Sequence, residues 1–181
     1  MNIWVVYGII TAVGVLLIAG IVIGSMALWR RQLRSSLIGL VGRRESIRAA
    51  YRALESVFAA LGEETTEGIT DFAMNPASVH RRALEDVQMR MAIQVEELQA
   101  VALPKTFWHC ADLLMAAAAK VRDEVMKINR APSPDMVLAG VGTIDVAGVR
   151  SGIAAAGQEL DRLLVENHIE DPAVYGGGLY I

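Results

Sequence analysis

Three histidines, one cysteine and a scatter of carboxylates are the residues with which this chain could do chemistry. His80, His109 and His168 could ligate a metal or a haem if the fold brought two of them together. Their surroundings argue against it. The sequence has no Glu-x-x-His pair of the kind that builds a carboxylate-bridged metal centre, no Cys-x-x-Cys-His and no His-Glu-x-x-His. Cys110 follows His109 directly. Neighbours on a helix point about 100° apart, so these two cannot form a nucleophile–base pair by themselves. Next to Trp108, Cys110 reads as a small core residue, and Met89, Met91, Met115 and Met126 as core filling. Gly140-x-Gly142 follows no strand and reads as a linker, not a phosphate cradle. The expectation is a chain without catalytic residues, metal, cofactor or small-molecule substrate. A single cysteine also excludes an internal disulfide framework and is at ease in a reducing compartment.

The elements that carry these residues begin with an apolar one. From Ile3 to Trp29 there is no charged side chain. A helix of that length rises about 40 Å, against a hydrocarbon core of roughly 30 Å. A cleaved signal peptide has a basic start and a shorter apolar centre; here no Lys or Arg precedes Arg30. Trp4 and Tyr7 lie at one end and Trp29 at the other, the headgroup positions that amphipathic rings prefer. Arg30, Arg31 and Arg34 follow at once. By the positive-inside rule the chain beyond them is cytoplasmic and Met1 is outside. Gly20 and Gly24 have the small-xxx-small spacing that lets helices approach closely, which suggests self-association or docking on another membrane subunit.

Charge is divided unevenly. Arg30 to Arg52 holds seven arginines and one acid, Glu45; the rest carries ten basic and nineteen acidic residues. A basic collar beside an apolar span, followed by an acidic body, is a membrane-surface pattern, not a nucleic-acid one. Residues 30–62 read as a basic amphipathic helix with Leu37, Leu40, Val41, Ile47, Tyr51, Leu54, Phe58 and Leu61 on one face. Arg44, Arg48 and Arg52 form an i, i+4, i+8 row beside it, a candidate contact for anionic lipid. Gly39 and Gly42 weaken this helix and suggest a bend.

Three further helices are expected. The first starts at Asn75-Pro76, Asn as cap and Pro at the first position, and runs to about Ala102 with Val79, Leu84, Val87, Met91, Val95, Leu98 and Val101 or Ala102 on its apolar face. Leu103-Pro104 ends it. The second runs from about Lys105 to Asn129, the Ala116–Ala119 run allowing a close neighbour. Residues 130–144 read as a linker with one short apolar turn. Asp145 caps the last helix, to about Asn167, with Val146, Val149, Ile153, Ala156, Leu160, Leu163 and Leu164 as its apolar stripe.

The expected fold is all-α: an N-terminal transmembrane helix, residues 1–29, then a small antiparallel bundle of about four helices. The bundle comprises 75–168 together with the helix over 43–62; residues 169–181 are a tail. That tail ends in three glycines and Leu179, Tyr180 and Ile181, a small apolar hook for docking a partner. The expected function is a non-catalytic accessory subunit or scaffold held at the membrane. The alternative is a ligand-binding or sensory bundle signalling through the span.

Overall fold

In the computed structural model, residues 3–169 are described, with side chains described at position 14 and from 16 to 169. Six α-helices form: α1 Ile3–Glu63, α2 Thr66–Met74, α3 Val79–Ala100, α4 Trp108–Asn129, α5 Pro134–Gly142 and α6 Val146–Glu166. A 3₁₀ turn, Lys105–Phe107, precedes α4. No strand occurs among the described residues, as the scarcity of β-branched runs predicts. The chain divides into two compact units, Met1–Ile38 and Gly39–Ile181.

The first unit is α1 up to Ile38. Leu16, Leu17, Ile18, Ile21, Ile23 and Leu28 are all more than half exposed. One helix near the N-terminus is therefore long and apolar enough to cross a membrane, and its apolar window is unburied. A Cβ added at Gly20 or Gly24 would meet nothing within 4 Å. Gly39 and Gly42 lie within the helix, whose bounds run through both. Residues 1–29 and 30–62, read separately above, therefore share one helix.

In the second unit α4 is the central element: it packs on α3, α5 and α6. Its buried stripe, Cys110, Ala111, Leu114, Ala117, Ala118, Val121, Val125 and Ile128, repeats at three- and four-residue steps. Small residues set the spacing to α6, where a Cβ on Gly152 would touch Ala117 at 3.9 Å. From α1 come Leu40, Val41, Ile47, Tyr51, Leu54 and Val57; from α3, Leu84, Val87, Met91, Val95 and Leu98; from α6, Val149, Ala156, Leu160, Leu163 and Leu164. Each leucine so buried contributes roughly 1.5–3 kcal/mol. Phe58, Leu61 and Ile153 are only half-buried.

Helix ends follow local chemistry. The Asp145 carboxylate accepts from the Gly148 N–H at 2.8 Å and starts α6 as expected. α3 does not start at Pro76. Asn75 closes α2 instead, its Oδ1 accepting from the Ala77 N–H at 2.9 Å, and Ser78 is the α3 cap. Val79 thus lies in the first turn of α3 and is 80 % exposed, and Val101 and Ala102 beyond the end of α3 and Val146 at the start of α6 are exposed as well, so none of them joins the core stripe. Two short helices lie between the long ones: Thr65 caps α2, and Ser133 with Pro134 starts α5 inside the segment read as a linker.

Candidate membrane-anchoring site

The residues proposed to set the anchor fall into three groups. Trp29 is 60 % exposed, and Arg30, Arg31 and Arg34 are exposed without an ion pair among the described residues. They are free to meet solvent, lipid headgroups or another chain. Trp4 and Tyr7 belong to α1, but their side chains lie outside the described residues, as do Leu179, Tyr180 and Ile181 entirely.

The arginine row on α1 does not stay together as a surface feature. Arg44 is 3 % exposed, and its guanidinium donates to Asp161 of α6 at 2.6 Å and to Glu45 at 3.1 Å. Burying a guanidinium is costly unless it is paired and hydrogen-bonded, and here it is both. Arg44 therefore belongs to the interior of the second unit and is withdrawn from any lipid-facing row. Arg48 is half-exposed and tied to Glu45 at 2.9 Å. Arg52 is exposed. Arg43, adjacent to Arg44, donates to Glu97 near the end of α3 at 2.8 Å. Two successive arginines on α1 thus clamp the last turns of two different helices. Periodicity placed them on a helix but could not reveal carboxylates 54 and 117 positions away.

A second α1–α6 link involves Tyr51, Glu55 and Arg150. Arg150 donates to the Tyr51 hydroxyl at 3.3 Å and to Glu55 at 3.0 Å. Burial, then the hydrogen bond to Glu55, pushes the Tyr51 pKa up; the donors Tyr51 and Arg150 hold the Glu55 carboxyl below the usual range. At the C-terminal end of α4, Arg81 of α3 is 5 % exposed and donates to the carbonyls of Ile128 at 2.9 Å and Asn129 at 3.3 Å. It lies 5.8 Å from the centroid of the Phe72 ring. Nothing in the sequence marked Arg81 as buried.

The histidines are spread out. His80 faces Glu64 at 3.3 Å, while His109 and His168 are exposed. Among the described residues no three His, Cys, Asp or Glu side chains gather. Cys110 is fully buried, and burial with the nearby Glu159 charge pushes its thiol up to about 11. Surface hollows of about 260–320 Å³ occur among the described residues of the second unit. One, lined by Phe58, Leu61, Ile69, Phe72, Leu138 and Val141, is apolar. The first unit thus presents an exposed apolar helix followed by exposed arginines, and the second a packed helical core. No protein family, curated protein or solved structure matches this sequence.

Proposed function

We propose that this chain is a non-enzymatic, single-pass membrane protein whose antiparallel helical bundle acts as an accessory subunit or scaffold in a membrane-associated assembly. The observation that carries the reading is the contrast around Trp29: an exposed, uncharged apolar helix before it and unpaired arginines after it. On the positive-inside rule, Met1 lies outside and the bundle is cytoplasmic at the cell membrane. The partners in this reading are the bilayer and either another membrane subunit or a second copy, meeting through the face of Gly20 and Gly24, where nothing within 4 Å would oppose a close neighbour. Arg52, with the half-exposed Arg48, is what remains for anionic lipid. No nucleic-acid partner is proposed, because the excess of arginine lies between Arg30 and Arg52, beside the apolar span, and the rest of the chain is net acidic.

A ligand-binding or sensory bundle is the second reading. The apolar hollow of about 260 Å³ beside Phe58 and Phe72 favours it. Against it, the buried polar groups Arg44, Arg81 and Glu124 are each engaged by partners inside the fold.

Thiol labelling tests the topology. Ser151 is exposed on α6, and Cys110 is buried, so Ser151→Cys in the native background reports one site. A membrane-impermeant maleimide should label intact cells only after permeabilisation; labelling from outside overturns the orientation. Cross-linking with mass spectrometry in native membranes then tests the assembly, and recovery of monomer alone refutes the scaffold reading.

A further inference from the structure

We infer that α2 is a hinged flap that opens independently of the packed core, and that its opening uncovers the apolar hollow it shares with α1 and α5. The inference concerns the second unit alone and does not depend on the anchor reading.

The sequence makes α2 short and weak. The Thr65 hydroxyl accepts from the Gly68 N–H at 3.3 Å and starts it; the Asn75 N–H donates to the Asp71 carbonyl at 2.8 Å and ends it. The nine residues between include Gly68 and the β-branched Thr66, Ile69 and Thr70, all poor helix formers. Helices shorter than about 12 residues are marginal in water alone, so α2 depends on what it packs against. That support is slight. Of its nine residues, all described, Phe72 alone is buried. By comparison α3 and α6 bury six residues each and α4 nine. Thr66, Glu67, Thr70, Asp71 and Met74 are exposed.

Phe72 is therefore the pin that holds α2 down. Its ring lies 5.8 Å from the Arg81 guanidinium carbon of α3. A second tie precedes α2, where Glu64 meets His80 of α3 at 3.3 Å. Beside the pin, packing is incomplete. α2 rests on α5 and α3, but the hollow of about 260 Å³ separates Ile69 and Phe72 from full contact with Phe58 and Leu61 of α1 and with Leu138 and Val141 of α5. A side chain that faces a gap forfeits the dispersion contacts of a filled one, and Ile69 is only half-buried. The neighbouring α5 is held more closely: a Cβ on Gly140 would touch Ile128 of α4 at 3.5 Å. The wall of the hollow that can move is thus α2. Residues 64–65 and 75–78, outside any helix, are its two hinges. An element with few buried contacts opens at a lower free energy than the core unfolds.

Hydrogen exchange followed by mass spectrometry tests this on full-length protein in mild detergent. Amides of residues 68–74 should be at least about 100-fold less protected than those of residues 114–125 in α4. Thr70 is exposed, and its hydroxyl bonds only to the Thr66 carbonyl, within α2. Thr70→Pro removes a backbone hydrogen bond from the middle of α2 without touching the core, so it should abolish the remaining protection of α2 and leave that of α4 within about 3-fold. A Leu61→Cys variant reads the hollow, since the native Cys110 is buried. Maleimide should label it at least about 5-fold faster when Thr70→Pro is added. α2 as protected as α4 in the unmodified protein overturns the inference, as does loss of α4 protection in step with α2 in Thr70→Pro; in either case α2 unfolds only with the whole domain. Unchanged labelling of Leu61→Cys overturns the covering role.

Discussion

Replacing Arg81 with methionine should destabilise the helical domain by about 2 kcal/mol, a net figure from opposing terms. The guanidinium donates to two carbonyls at the end of α4, and hydrogen bonds from a charged donor contribute roughly 1.5–3 kcal/mol each. The Ile128 carbonyl keeps a second donor, the Ala131 N–H at 3.2 Å, so its loss is the smaller. The cation over Phe72 adds about 1 kcal/mol, and a positive charge at a helix C-terminus about 0.5–1. Opposing these is a desolvation cost of several kcal/mol for a guanidinium that is 5 % exposed, a cost that methionine removes. Burial also draws the Arg81 pKa below the usual arginine range, with Glu85 opposing. For a domain of this size the net loss corresponds to a melting shift of roughly 8 °C. Full-length protein in mild detergent, followed at 222 nm, reads it, with exposed Arg82→Met as control, which should stay within about 0.5 kcal/mol. An Arg81→Met protein melting within about 2 °C of wild type, or higher, would refute the reasoning, because desolvation would then outweigh the capping.

Cys110 should be chemically silent in the folded protein. A thiol raised from 9.0 to about 11 holds about 100-fold less thiolate near pH 8, and burial slows attack further. Maleimide labelling should therefore be at least 100-fold slower native than in denaturant, and comparable rates would place Cys110 outside the core. Asp145 should make α6 acid-sensitive. Its pKa is held down first by the Lys120 ammonium at 2.7 Å and then by the Gly148 N–H. A depressed folded pKa means stability that is present above the ordinary value, about 4, and lost as pH falls through the folded value. Asp145→Asn retains an acceptor for Gly148 but no charge for Lys120, so its melting temperature should fall less steeply below about pH 5 than wild type; equal slopes would show the pair is not coupled to folding.

The long helices were legible because each repeats its buried residues at helical spacing, and Asp145 and Pro104 punctuate them. The errors are local competitions. Asn75 and Pro76 look like a helix start, yet Ser78, three residues on, offers a hydroxyl to the Arg81 N–H and takes the cap. Ser133-Pro134-Asp135 carried a full helix-start signal, but Gly140 and Gly142 in the same segment read as breakers, and α5 was missed. The buried arginines were illegible for another reason. Whether an arginine on an amphipathic helix is solvated depends on acceptors from remote elements, Asp161 for Arg44 and two α4 carbonyls for Arg81. No periodicity encodes those pairings. The anchor residues, by contrast, were read from composition and order alone; in the structure Trp29 and the three arginines after it are exposed.

The link between Arg44 and Asp161 has a consequence for synthesis. The two residues are 117 positions apart, and Tyr51 and Arg150 are 99 apart. At about 5–20 residues per second, roughly 5–23 s of translation separates the emergence of these α1 residues from that of their α6 partners. During that interval Arg44, 3 % exposed in the finished fold, has left the ribosome without the Asp161 carboxylate that pairs with it. A premature stop before residue 146 leaves a product in which Arg44, Tyr51 and Glu55 all lack their α6 partners.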